Sequence, residues 1–373
     1  MLNIPDLQRR LRPLLLPLGA LYALAMRLRR WLYERGSLGA WRPPCPCISV
    51  GNIGWGGSGK TPLCGHILRW AGKREEHGVV LTRGYGAKPK RLPLLVTPGA
   101  SPAQAGDEPL LLAKSHRLAR IVVDPKRKRG GAWACERFDP DFVLLDDGFQ
   151  HLGVARDIDL VLLTPADILE GWGRVCPTGS WREGESALAR ASAFLIKVVP
   201  GRQPGLAEAI EARLKPLGKP IFTFALKPKG LARLDGSGRA ADLDGEDYIL
   251  ATGIADPAQA VATAAKMLGR EPRQVLPFPD HHTFTQADVA MIREAAKAAD
   301  DVNGAHVVVT AKDAVKLRLL DSAGSFWSLR TEVRFGPKYN AEAEFDDWFG
   351  ARFDELAAHH SLAFRAAMQK ELA

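Results

Sequence analysis

VGNIGWGGSGKTP, residues 50–62, decides how this chain is read. Gly54, Gly59, Lys60 and Thr61 satisfy G-x-x-x-x-G-K-[ST] with no mismatch. Glycines let a backbone turn tightly enough for several N–H groups to converge on one phosphate. Gly54, Trp55, Gly56, Gly57, Ser58 and Gly59 are therefore the candidate cradle. A following helix would turn its positive end toward the same anion. Lys60 is placed to reach the β- and γ-phosphates of a nucleotide, and Thr61 to set its hydroxyl on Mg²⁺. The motif carries this meaning only between a strand and a helix. Residues 47–50 (CISV) are short, apolar and β-prone, and residues 63–71 (LCGHILRWA) read as a helix, so the context is present.

Downstream, residues 78–82 (GVVLT) read as a second strand, ending in Arg83-Gly84-Tyr85-Gly86. Residues 87–105, rich in Pro, Lys and Gly, read as a loop or hairpin excursion. Gly106-Asp107-Glu108-Pro109 introduces a helix over 110–119, with Asp107 where an N-cap or first-turn acid would sit. Residues 121–124 are a third strand, and 124–131 (DPKRKRGG) read as a basic turn. The apolar run 142–145 followed by Asp146-Asp147 is the second strong signal. A strand ending in acid is where a phosphate-loop enzyme holds Mg²⁺, and two adjacent acids are costly unless a cation neutralises them. Residues 157–163, 193–199 and 220–224 add strands, to about seven interleaved with helices. The pattern predicts an α/β fold with a doubly wound, mostly parallel sheet.

A smaller α/β unit is expected from residue 236. It would have strands at 247–252, 305–310 and 325–335, and helices at 257–268 and 286–299, the latter capped by Thr285. Pro279-Asp280-His281-His282 lies between them, and residues 341–373 read as amphipathic helix. The expected organisation is an N-terminal helical segment (1–35), a phosphate-loop domain (36–235), the smaller domain (236–335) and a helical tail (336–373).

Upstream, residues 5–35 have an apolar centre, 13–26, of only fourteen residues. That is too short to span a bilayer comfortably. Arg9, Arg10 and Arg12 precede it, and Arg27, Arg29 and Arg30 follow in place of a small-residue cleavage site. The segment reads as an interfacial helix, with Trp31 and Tyr33 at the headgroup boundary and arginines on anionic lipid.

Bulk composition agrees. The chain is 373 residues, 46% hydrophobic and 25% charged, which suits two globular domains rather than disorder. A net charge of +9 suits an anionic partner. Cys45, Cys47, Cys64, Cys135 and Cys176 show no metal-ligand spacing and are odd in number, which suits a reduced, cytosol-facing location. No nucleic-acid module is present. No guanine-reading [NT]-K-x-D is found: Thr310-Ala311-Lys312-Asp313 sets the lysine directly against the aspartate. Trp55 stands where partner-activated ATPases of the K-G-G-x-G-K type carry a lysine. Asp280 beside His281, with Asp107 on the first domain, suggests a carboxylate–imidazole base and hence transfer to a hydroxyl. Another small-molecule kinase on a soluble acid, or a membrane-associated regulatory ATPase, stays open.

The motifs SVGNIGWGGSGKTP (49–62), TRGYG (82–86), GDEP (106–109), DDGFQH (146–151), WREGE (181–185), TGIADP (252–257), PDHHTF (279–284) and TAKDAVK (310–316) span about 270 of the 373 residues. In this order they resemble the tetraacyldisaccharide 4′-kinase (lipid A 4′-kinase) family. The resemblance implies transfer of the γ-phosphate of ATP, with Mg²⁺, to the 4′-hydroxyl of an acylated glucosamine disaccharide 1-phosphate lipid. It implies work at the cytoplasmic face of the bacterial inner membrane. It further implies Asp107 and His281 as a catalytic dyad beside Lys60, and Thr61, Asp146, Asp147 and Glu183 at the metal. Arg83, Tyr85, Gln150, His151 and Arg182 would then touch substrate or phosphate. Three positions depart from the family pattern: Ala311 replaces an acid, Ser180-Trp181 alter the approach to Arg182, and Lys197-Val198 stand where an asparagine is usual.

Overall fold

The computed structural model describes residues 8, 10–199, 203–299, 304–321 and 324–371, with side chains through residue 362. At its centre lies one sheet. Its strands are β1 Cys47–Asn52, β2 Gly78–Thr82, β3 Leu94–Val96, β4 Arg120–Val123, β5 Phe142–Asp146, β6 Ile158–Leu163, β7 Ala193–Lys197, β8 Ile221–Arg233, β9 Arg239–Ala240, β10 Tyr248–Thr252, β11 Gln274–Pro277, β12 His306–Thr310 and β13 Trp327–Tyr339. They lie in the order β11-β10-β12-β13-β8-β7-β6-β1-β5-β2-β4-β3, with β9 on β8. β1 is buried along its whole length between β5 and β6, parallel to both. Parallel strands covered on both faces read as continuous apolar runs, which is why this half was legible. Val50 is level with Asp146, so the phosphate loop and the acid pair leave the same edge of the sheet. That carboxyl edge is where open α/β sheets bind ligands.

The helix Lys60–Lys73 buries Leu63, Cys64, Ile67, Leu68 and Ala71, a 3.6-period stripe laid on the sheet. The helix Phe345–Glu371 covers the same region with Phe345, Phe349 and Phe353, spaced four apart. Phe349 meets the Trp70 ring edge-on at 4.9 Å, and Phe353 meets Phe142 at 5.8 Å. A second core, around Ile249, Phe284, Ile292, Val307 and Phe326, fills the space under β10 and β12.

Three segments depart from the sequence reading. The stretch expected as a basic turn, 124–131, instead opens the helix Arg127–Phe138, which buries Gly130, Gly131 and Ala134; its cationic spelling concealed that small-residue face. The excursion over 87–105 contains β3, antiparallel to β4, and the helical turn Pro102–Ala105. The strand expected at 220–224 runs on to Arg233 and pairs antiparallel with β13 for nearly the full length of both. Pro228 and Gly230 concealed it by resembling a turn. They flank a register shift opposite Arg330 and Thr331, where a proline is tolerated because the ladder is already interrupted.

The N-terminal helix runs Arg12–Glu34. Gly19 is its buried residue, and a Cβ there would sit 3.1 Å from Thr178. Tyr22 and Ala23 pack on the core around Trp181. Leu11, Leu14, Leu18, Leu21, Leu24 and Leu28 are all exposed, Leu14 at 75%. At 100° per residue these six occupy less than half of the helical circumference, while Leu16, also exposed, lies on the other side. Trp31 is exposed under the Arg35 guanidinium, whereas Tyr33 is half-buried against Gly153. No helix among the described residues is long and apolar enough to cross a membrane.

Candidate active site

The loop between β1 and the helix Lys60–Lys73 turns through Gly56 at φ 116° and Gly59 at φ 91°. Both values lie in the left-handed region that glycine adopts without strain. Gly59 leads directly into the helix, so the first helical N–H groups face the loop. Ser58 Oγ is buried here without a partner. Lys60 Nζ donates to Asn52 Oδ1 at 3.1 Å and lies 3.6 Å from Asp147 Oδ1. Lys197, on the final residue of β7, donates to the carbonyl of Gly57 at 3.3 Å, and burial lowers its pKa. Trp55 is half-exposed, its N–H donating to the Ser180 carbonyl at 3.0 Å. Gly54 faces Asp167: a Cβ there would meet that carboxylate at 2.6 Å.

Thr61 donates from Oγ1 to Glu108 Oε2 at 2.6 Å. Asp146 is buried, accepting from Thr82 Oγ1 at 3.0 Å with Cys64 Sγ at 3.9 Å. Burial, with the negative charges of Glu108 and Asp147, pushes its carboxyl up to about 6. Asp147 takes the left-handed φ of 54° and turns toward cations instead. Burial raises its carboxyl, but Lys60 and Arg182 outweigh burial and bring it below the usual range. Arg182 Nη1 holds both oxygens, at 3.0 and 2.9 Å, and reaches Gln150 Oε1 at 3.2 Å. Gln150 is fixed further by donating to the Asn52 carbonyl and by accepting Arg29 of the N-terminal helix at its own carbonyl. His151 is held neutral: burial and the nearby charges of Arg127, Arg156, Arg29 and Arg83 push it down to about 4.

Glu183, expected at the metal, is buried with Oε2 and Oε1 on Arg190 Nη1 and Nη2 at 3.0 and 2.9 Å. Arg190 in turn lies over the Phe149 ring. The pair braces the turn that carries Arg182, whose N–H donates to the Ile53 carbonyl at 2.8 Å.

The helix Asp107–Ser115 joins the two parts of the site. Successive residues at its start point about 100° apart. Glu108 goes to Thr61, and Asp107 goes to His281, with Oδ2 3.4 Å from Nδ1. Asp107 and His281, more than 170 residues apart in the chain, meet in space. His281 sits in a turn at φ 60°, its ring 5.4 Å from the exposed Tyr85 ring. Lys312 Nζ is 3.1 Å from His281 Nε2 and 3.0 Å from Asp280 Oδ1. Lys316 Nζ, nearly buried, lies 3.3 Å from Asp107 Oδ2 and 3.4 Å from Asp313 Oδ1. Asp313 accepts from Thr252, Gly253 and Thr310, which locks the start of the helix Ala311–Leu317 to the end of β10.

The arrangement is a phosphate cradle, a graded set of acids beside Thr61, and a carboxylate–imidazole pair on the adjacent rim. It suits phosphoryl transfer to a hydroxyl. The comparisons with known proteins say the same. The model of a protein family, tetraacyldisaccharide-1-P 4′-kinase, matches residues 11–350. The chain belongs to this family. A tetraacyldisaccharide 4′-kinase from Oleidesulfovibrio alaskensis is 48% identical, covering 94% of this chain and 98% of its own. One from Nitratidesulfovibrio vulgaris is 44% identical over 95% and 98%. Among solved structures, the crystal structure of LpxK from Aquifex aeolicus in complex with ATP, called an "apo" form, is 28% identical with a TM-score of 0.73, covering 93% of this chain and 99% of that one. The resemblance, the α/β fold and the kinase class expected from sequence therefore hold.

In this kinase fold the sequence reading missed Glu108, Asn52, Lys312 and Lys316. Glu108 was visible inside the GDEP motif. Asn52 lay inside 49–62, and Lys312 and Lys316 inside 310–316, but the acids and amide they meet are named by no spacing within those motifs.

Proposed function

We propose that the protein phosphorylates the 4′-hydroxyl of a tetraacylated glucosamine disaccharide 1-phosphate, using ATP, at the cytoplasmic face of a bacterial inner membrane. The observation that carries the reading is the Asp107–His281 pair held beside the Thr61 end of the phosphate loop. In the step, the 4′-oxygen bonds to the γ-phosphorus, the bond to the β-bridging oxygen breaks, and ADP leaves with its electrons. The hydroxyl proton goes to His281 Nε2, since Nδ1 faces Asp107. Lys60 and the loop N–H groups hold the nucleotide phosphates, and Arg182 orients Asp147.

The residues fit Mg²⁺. Asp146 is a buried acid with the charges of Glu108 and Asp147 nearby, and Thr61 Oγ1, on Glu108, adds a hard oxygen. Among the described residues no cluster of three or more metal-ligating side chains stands ready-made. When bound, Mg²⁺ would neutralise charge on the transferring group.

The exposed leucine face of the N-terminal helix is the surface for a lipid bilayer. An acyl chain loses about 0.8 kcal/mol per buried CH₂ on leaving it, so the enzyme must come to the substrate. No nucleic acid takes part. The first part of the chain carries the phosphate loop, and the part beyond residue 236 brings His281. The test is transfer of label from [γ-³²P]ATP to the tetraacyl disaccharide 1-phosphate in mixed micelles. Label should enter lipid with wild type and fall by at least about a hundredfold with Lys60→Met and with His281→Ala. Release of free phosphate without lipid labelling would overturn the reading.

A further inference from the structure

The dyad carries a contact that a simple general base would not. Lys312 Nζ stands 3.1 Å from His281 Nε2, the nitrogen that must receive the hydroxyl proton. An ammonium has three donors and no acceptor. The imidazole nitrogen facing it must therefore present its lone pair, which places the ring proton on Nδ1, toward Asp107 Oδ2 at 3.4 Å. The same ammonium is anchored independently by Asp280 Oδ1 at 3.0 Å. Asp280 also accepts the His281 backbone N–H at 3.0 Å, so lysine, carboxylate and histidine form one turn-sized unit.

We propose that Lys312 is a positioning residue for the base: it fills the place of the acceptor hydroxyl at Nε2, fixes the Nδ1–H tautomer, and yields that place when substrate arrives. This rests on the kinase reading above and adds to it a residue and a role. Displacement leaves no orphan, because Asp280 keeps the ammonium. The groups facing His281 come from four elements, three of them charged. Asp107 faces it from its helix start, with Lys316 on the same carboxylate. Lys312 faces it from the helix Ala311–Leu317, Asp280 from its own turn, and the Tyr85 hydroxyl-bearing ring from the turn after β2. Asp107 and Asp280 favour imidazolium, and Lys312 opposes it. Lys316 already balances part of Asp107. The ammonium thus keeps the Nε2 lone pair turned toward the place the hydroxyl takes, an orientation that the two carboxylates alone would not fix.

Two measurements test this on the full-length protein. In ¹⁵N NMR of ring-labelled wild type without nucleotide, the His281 resonance (assigned by its loss in His281→Ala) should show an unprotonated Nε2. In steady-state assays, Lys312→Met should move the acid limb of kcat/KM up by about one pH unit, and Lys312→Arg should restore it. A protonated Nε2 in wild type, or an acid limb that Lys312→Met leaves in place, would overturn the inference. The tautomer measurement needs no turnover. A protein that labels no lipid would sink the proposed reaction while the NMR still judged the role of Lys312.

Discussion

Replacing Asp146 with asparagine should make the ligand-free protein more stable while destroying its activity. The carboxyl is buried, and its pKa rises from 3.8 to about 6 through burial, Glu108 and Asp147. A raised acid binds its proton more tightly in the folded state, so folding loses stability as pH climbs from about 4 to about 6. The loss is complete above that range. The shift of about 2 units at 1.36 kcal/mol each gives a cost of about 3 kcal/mol at pH 8. At pH 5, midway through the range, the same linkage leaves roughly half of that. Asparagine keeps the shape and still accepts from Thr82 Oγ1, now at 3.0 Å from Oδ2. Urea unfolding monitored by tryptophan fluorescence should therefore show Asp146→Asn ahead of wild type by about 3 kcal/mol at pH 8 and by half that at pH 5. Adding ATP with Mg²⁺ should reverse the order, since the variant lacks the buried carboxylate at 146 that the cation would neutralise. A gain that does not change with pH, or a variant less stable at pH 8, would refute the reasoning.

Two further outcomes follow from geometry. Gly51→Ala would set a Cβ 2.5 Å from the backbone nitrogen of buried Phe149. It should cost about 1–3 kcal/mol by urea unfolding, and a neutral result would show that β1 and the loop at 149 do not approach as described. Leu14→Ser with Leu18→Ser and Leu21→Ser should lower partitioning into anionic phospholipid vesicles by roughly a hundredfold, with the fold unchanged by circular dichroism. Retained binding would remove the helix from the membrane contact.

The sequence made the first half of the sheet and the phosphate loop legible because their strands are short continuous apolar runs between glycine-rich turns. The acid pair was readable for the same reason: Asp146 and Asp147 end the run 142–145. What stayed hidden was carried by long-range pairing. The extension of β8 through Pro228 exists only because β13 holds it, and nothing local in LKPKG announces a strand. The partner of Glu183 stayed hidden because Arg190 follows it on a short 3₁₀ turn whose spelling resembles any exposed loop. Lys312 was readable from sequence as part of the run 310–316 and as the residue that spoils a guanine motif, with no sign of its contact. Its neighbour on the imidazole lies 31 residues earlier.

The phenylalanines of the last described helix have a consequence for synthesis. Phe345, Phe349 and Phe353 close the same core that holds Ile48, Val50 and Leu63 beneath the phosphate loop. A chain leaving the ribosome at about 5–20 residues per second offers the loop first and its lid of aromatic rings last. For the interval in which some 290 residues are made, the apolar face of the loop's helix lacks its cover. A nascent chain in that interval is a candidate for chaperone capture. Truncation ahead of Phe345 should yield protein that cannot hold its nucleotide site, although every residue of that site is present.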